Sequence, residues 1–233
     1  MSGRFHRNKH IKKLKGENTY KMRKNDLLPK RQKKSQEVKK KIIKAALELM
    51  NRYGYEYLTI RNICKLANVS NGSFYHYFKS KDGLMSYFIR NGYERYWQEN
   101  SKRWEELSAQ YRVVDIMTWI GIYFCELGVG FVTSYYSCKN QALNVRNPEG
   151  AKFHKEIIND LISQLEVAQN EGMISTDFDI MNIYYELNRI FFGVVFDWAL
   201  CNGCFDLANT INRMLIMQLN NYLFDDYKMY PKP

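Results

Sequence analysis

The sequence has no run of apolar residues that would cross a membrane. Its richest stretch, residues 113–136, is interrupted by Asp115 and Glu126. The basic N-terminus does not show the apolar core expected of a secretory leader. Cysteine is scarce: there are five, an odd number in no disulfide-like framework, which suits a reducing cytoplasm. There is no glycine-rich phosphate loop, no nucleophile elbow and no HExxH. Nothing argues for catalysis, a metal or a cofactor. What is present is a chain of 233 residues, 45% hydrophobic and 15% aromatic, long enough for one small and one larger domain, each with its own core.

Acidic residues are nearly missing from one end. Residues 1–34 hold 13 Lys or Arg against 2 Asp or Glu, a charge of +11, while the other 199 residues hold 22 of each sign and sum to zero. The whole basic excess therefore sits in an N-terminal arm. With few apolar residues and no amphipathic repeat, this arm is expected to be disordered alone, and to add phosphate contacts or reach a minor groove. A plain solvated tail, or a later start at Met22, is the alternative.

Residues 42–81 carry the densest pattern. Apolar residues at Val38, Ile42, Ala45, Ala46, Leu49, Met50 and Tyr53 form the stripe of an amphipathic helix, with Ser35 as its N-cap and Gly54 at its end. Thr59 reads as the cap of a second short helix, with Ile63 and Leu66 inward. Residues 67–69 make a turn. Ser70 caps a third helix, on which Phe74 and Phe78 lie four apart on the buried face. Asn71, Ser73, Tyr75, His76 and Tyr77 are left outside. That surface suits DNA: small polar residues let the helix end approach base edges, and hydroxyls and helix N–H groups bind phosphates. Ser80 caps a fourth helix, with Lys81 in its first turn.

This run resembles the N-terminal domain of TetR-family transcription regulators. The resemblance rests on Gly54-Tyr55, Leu58-Thr59-Ile60-Arg61, Val69-Ser70-Asn71-Gly72-Ser73 and the run from Phe74 to Lys81. It implies an all-α fold, a helix-turn-helix domain over 35–80, an effector-binding and dimerisation domain over 81–225, and a short tail, 226–233. It also implies DNA contacts at Thr59, Arg61, Ser70, Asn71, Gly72, Ser73, Tyr75, His76, Tyr77 and Lys81. Arg61 is the candidate for a guanine, since its fork can bond O6 and N7 together. His76 takes a position that often meets a base. Tyr75, Tyr77 and Lys81 are expected as phosphate clamps, and Gly72 lets the backbone come close. Asn71 departs from the Lys common in the family, and Asn can read adenine instead. The implied activity is that of a repressor that leaves a palindromic operator when a small effector binds.

In the larger domain a long helix is expected from Ser80 to about Arg103, then an apolar helical segment over 113–134, greasy on nearly all sides and so central. Another helix is expected over 151–170, closed by Gly172. Asp177 or Asp179 then caps the first of two last helices, near 179–201 and 205–223. The first of these is apolar at Ile183, Tyr184, Leu187, Ile190, Phe191, Val194, Val195 and Trp198. That is more than one helix buries in its own domain, so a homodimer through a twofold four-helix interface is expected. Large aromatics with a few polar groups among them suggest a pocket for an aromatic or lipophilic effector. Its candidate lining is Trp119, Tyr123, Phe124, Phe131, His154, Tyr185, Arg189 and Phe192, each of which would equally serve as core. The motif Cys201-Asn202-Gly203-Cys204 falls in the expected last turn, with no second CxxC and no nearby His. It reads as structural or incidental. The rival readings are a redox or metal sensor through this pair, and a regulator-like module acting through a protein partner.

Overall fold

The computed structural model describes residues 30–136 and 148–230. It is all-helical: α1 (Lys30–Tyr53), α2 (Ile60–Ala67), α3 (Asn71–Tyr77), α4 (Lys81–Glu106), α5 (Ala109–Leu127), α6 (Val129–Tyr135), α7 (Pro148–Asn170), α8 (Ile180–Leu200) and α9 (Leu207–Leu219). No single helix among the described residues is long and apolar enough to cross a membrane.

The first three helices close around Ile42, Ala46, Met50, Leu58, Ile63 and Phe74, all buried. Their ends are set by local chemistry. The Thr59 hydroxyl accepts from the Asn62 N–H, Ser70 from Ser73, and Ser80 from Gly83. Each satisfies an amide that the first turn of a helix leaves orphaned. Gly54 follows α1 at φ 76°. Asn68, in the left-handed region at φ 53°, turns α2 into α3.

Three local expectations need correction. Helix α1 begins at Lys30, so Ser35 lies inside it and is not its cap. Leu66 is 46% exposed, because the inward face of α2 is Ile63, Cys64 and Ala67, one position further round. Tyr53 is 54% exposed, standing off the end of the α1 stripe.

The larger unit is layered on α4 and α5. Tyr96 of α4 donates to Asp115 Oδ2 of α5 at 2.8 Å, and Trp104 Nε1 donates to the Tyr96 hydroxyl. The apolar segment expected as one helix is two: α5 and α6 meet at 113°. The break is Gly128, at φ 90°, where a Cβ would also lie 2.7 Å from Asn51 Oδ1 of α1. Helix α7 ends at Gly172, φ 75°. Asp179, not Asp177, caps α8, accepting from the Asn182 N–H. The two last helices run side by side, and α9 packs on α5. The chain beyond them is not a loose tail through Tyr230. Met229 is fully buried and exchanges two 2.8 Å hydrogen bonds with the Asn220 side chain.

Candidate functional site

Helix α3 presents two faces. Phe74 and Phe78 are buried against α1 and α4, with their rings 5.8 Å apart. The opposite side and the N-terminal end carry Ser70, Asn71, Gly72, Tyr75 and His76, all exposed, with Ser73 half-buried beside them. Thr59 and Arg61, at the start of α2, are exposed as well. The expected DNA-facing residues other than Tyr77 and Lys81 therefore lie on α3 or at the N-terminal end of α2, outside the core.

Tyr77 and Lys81 are engaged internally. The Tyr77 hydroxyl donates to the Ser35 carbonyl at 2.9 Å and lies 2.8 Å from Ser35 Oγ, tying the end of α3 to α1. Lys81 Nζ sits 3.9 Å from the centre of the Tyr55 ring. The Tyr55 hydroxyl in turn donates to Asp82 at 3.0 Å. Burial, reinforced by the Asp82 carboxylate, pushes that phenol well above its usual range, so it stays protonated and keeps donating. These bonds lock α4 onto the helix-turn-helix unit.

A cavity of about 260 Å³ lies between α4, α5, α6, α7 and α8. Its walls are mainly apolar: Ile89, Met117, Ile120, Phe124, Tyr135, Tyr136, Ile157, Ile158, Leu161, Tyr184, Phe191 and Phe192. Asn188 is the one amide among them. Burial raises the phenols of Tyr135, Tyr136 and Tyr184, which leaves them neutral hydrogen-bonding groups in an apolar wall.

Of the residues expected to line a pocket, the structure brings Phe124 and Phe192 to this cavity. Phe131 is fully buried in the core, between Phe88 and Tyr135. Tyr123 is buried too. Its hydroxyl donates to the Phe88 carbonyl at 2.8 Å, and burial pushes its phenol up to about 12. Trp119 stacks on Tyr123 and lines a different, open groove of about 700 Å³ near Arg103, Asp115 and Tyr230. Tyr185 and Arg189 are exposed on the outer face of α8. The side chain of His154 lies outside the described residues.

The misassignments on α8 are of one kind. Tyr184, Asn188 and Phe191 face the cavity, while Tyr185 and Arg189 are each one residue further on, a rotation of about 100°. Periodicity locates a stripe but not the neighbour it faces, and only α7 folding back across α5 and α8 settles that.

A second junction between the two units lies at the C-terminal end of α1. Asn51, near the end of α1, donates through Nδ2 to the Leu127 carbonyl at 2.8 Å and accepts from the Phe131 N–H at 3.2 Å. Gly130 lies so close that a Cβ there would stand 2.4 Å from Asn51 Cα. No sequence signal marks Asn51, an ordinary polar residue on a helix end.

The chain matches the family of bacterial regulatory proteins known as tetR over residues 42–94. It is 40% identical over 58 residues to the probable HTH-type transcriptional regulator YttP of Bacillus subtilis; that stretch is 25% of this chain and 28% of the relative's length. It is 26% identical over 170 residues to the HTH-type transcriptional regulator UidR of Escherichia coli, 71% of this chain and 84% of that protein. The crystal structure of the transcriptional regulator FadR from Bacillus subtilis, in complex with stearoyl-CoA, aligns with a TM-score of 0.63 at 19% identity, covering 76% of this chain and 96% of that one. The last likeness is one of fold, and the match over residues 42–94 identifies the N-terminal unit as that of the tetR family of bacterial regulatory proteins.

Proposed function

We propose that the chain works as a homodimer that reads a palindromic operator through α3 and acts as a repressor, released when an apolar ligand enters the cavity beside Tyr136 and Phe191. We divide it at Ser80, with α1–α3 as the DNA reader and the rest as the sensing and dimerising part. The observation that carries the reading is the outward face of α3. It is capped, short, polar and small at its N-terminal end, and anchored from below by Phe74 and Phe78. That is the shape a major groove admits. Tyr77 serves this face by bracing it against Ser35, while Tyr75 is exposed where it can approach a phosphate and Ser70 caps the helix end that meets the DNA.

The cavity supports a ligand of compact apolar character. At about 260 Å³ it falls just under the roughly 300–1,000 Å³ of sites for drug-sized molecules. A short aliphatic or single aromatic body fits it. A long acyl chain, such as the stearoyl-CoA of the FadR complex, would require the walls to part. Phe124, Tyr135 and Tyr136 belong to the ends of α5 and α6, which flank the hinge held by Asn51. A ligand that shifts these walls moves α1, and with it α3. Operator and ligand then weaken each other by the same factor.

Footprinting on the DNA flanking the gene tests the reading. A protected palindrome is expected, and Arg61→Ala should weaken binding to it by about 1–3 kcal/mol, roughly 5- to 150-fold, while sparing non-specific DNA. Only diffuse, salt-sensitive protection would favour action through a protein partner. Removing residues 1–29, which hold nine of the chain's 35 Lys and Arg, should also weaken binding. The slope of log K against log salt should then flatten by about 0.9 for each lost phosphate contact. An unchanged slope would show that the arm makes none.

A further inference from the structure

The CxxC that reads as structural or incidental in the sequence is paired: Cys201 and Cys204 form a disulfide in the turn between α8 and α9. The backbone explains why they meet. Asn202 (φ 56°) and Gly203 (φ 77°) both stand in the left-handed region, which reverses the chain sharply and leaves the two Cα atoms 5.5 Å apart. The turn is held without the sulfurs as well. The Gly203 N–H donates to the Trp198 carbonyl at 2.8 Å and the Asn202 N–H to the Ala199 carbonyl at 3.2 Å, closing the end of α8. The pair is therefore preset for bridging, and it is reachable: Cys204 is exposed and Cys201 half-buried.

The position of this turn matters more than its geometry. A Cβ on Gly203 would lie 3.3 Å from Val129 Cγ2 and 3.4 Å from the Trp198 ring, so the turn is packed directly on Val129. Val129 stands between Gly128 and Gly130, the two glycines pressed against Asn51 of α1. A continuous packed path thus runs from the cysteines through Val129 and Asn51 to α1, and from α1 through Ser35 and Tyr77 to α3.

We propose that Cys201 and Cys204 are a reversible dithiol–disulfide site that sets the stiffness of the Val129 hinge and thereby the affinity for DNA. It takes low-molecular-weight disulfides and thiols of the glutathione type as reaction partners. On oxidation the exposed Cys204 thiolate attacks the disulfide, forming a mixed disulfide and releasing one small thiol. The Cys201 thiolate then displaces the second. Two protein thiols lose two electrons and two protons, and one small disulfide becomes two thiols. Two small thiols reverse the reaction. The affinity part rests on the DNA-binding reading above; the hinge part does not.

The test uses the full chain carrying Cys125→Ser and Cys138→Ser, equilibrated with glutathione or glutathione disulfide. Intact mass after maleimide labelling reads the pair. Amide exchange at Phe131, whose N–H bonds Asn51, reads the hinge. Operator titration reads function. The bridged form should gain one intramolecular disulfide, protect the Phe131 amide at least about fivefold more, and differ in operator affinity by at least about fivefold. Adding Cys201→Ser and Cys204→Ser should abolish both differences. A pair that does not oxidise, equal exchange in the two states, or equal affinity in a protein that binds DNA overturns the proposal. Should neither state bind DNA, the operator reading fails and the hinge exchange alone decides.

Discussion

Phe196→Glu is expected to convert a dimer into folded monomers. Helix α8 buries Ile183, Tyr184, Leu187, Phe191, Val194, Val195 and Trp198 within its own chain. These are largely the residues whose number suggested a partner in the first place, and they need none. The surplus is on the exposed side, which includes Phe192, a residue that also lines the cavity. Tyr185, Phe192, Phe196 and Leu200 follow one another at steps of seven, four and four, and all are exposed, Phe196 at 61% and Leu200 at 69%. Met214 and Met217 of the neighbouring α9 are exposed as well. Scattered apolar residues on a surface are ordinary, but a contiguous stripe along one helix is the mark of an interface.

A twofold contact places Phe196 against its own copy or a near neighbour, so one substitution introduces two carboxylates. Burying charge without a partner costs several kcal/mol, and about 4 kcal/mol corresponds to a roughly thousandfold rise in the dimer dissociation constant. Sedimentation velocity reads the change in mass, and circular dichroism checks that the monomer stays helical. Operator affinity should fall to that of a single half-site, because two recognition helices no longer act together. A dimer that survives Phe196→Glu would place the interface elsewhere.

Gly130→Val should destabilise the fold far more than Gly72→Ala. At most positions a new side chain meets the movable end of another. At Gly130 it meets backbone: Asn51 Cα at 2.4 Å and the Met50 carbonyl at 2.6 Å. Neither can rotate away, so α1 or α6 must move. Overpacking of this kind costs about 1–3 kcal/mol or more. Urea unfolding should show a lower midpoint with an unchanged slope. The displacement also breaks the Asn51 bonds to Leu127 and Phe131, so operator affinity should lose its response to ligand. Gly72→Ala is the control. Only Ser70 Oγ, at 3.8 Å, is near that position, so folding should be unaffected. A Gly130→Val protein as stable as its parent would mean that the two units are not held together at this hinge.

Several features of the chain are legible in the sequence alone. Thr59, Ser70, Ser80 and Asp179 act as caps because their spacing to the next turn is a local property. The buried face of α3 and the glycine stops at Gly54 and Gly172 are equally local. The all-α class comes from the family resemblance of residues 42–81; of the α3 residues expected outside, Asn71, Tyr75 and His76 are exposed, while Ser73 and Tyr77 are half-buried.

What tertiary structure alone decided is which surface meets which. The sharp break at Gly128 bends one greasy stretch into α5 and α6. The fold of α7 across α5 and α8 chooses Tyr184, Asn188 and Phe191 over Tyr185 and Arg189 for the cavity. Asn51 becomes a clamp, and the CxxC turn comes to rest on Val129. Periodicity of 3.6 residues records that a face is apolar, but not its partner. Contacts between residues 76 or 80 positions apart, such as Asn51 with Leu127 and Phe131, arise only when the chain is packed.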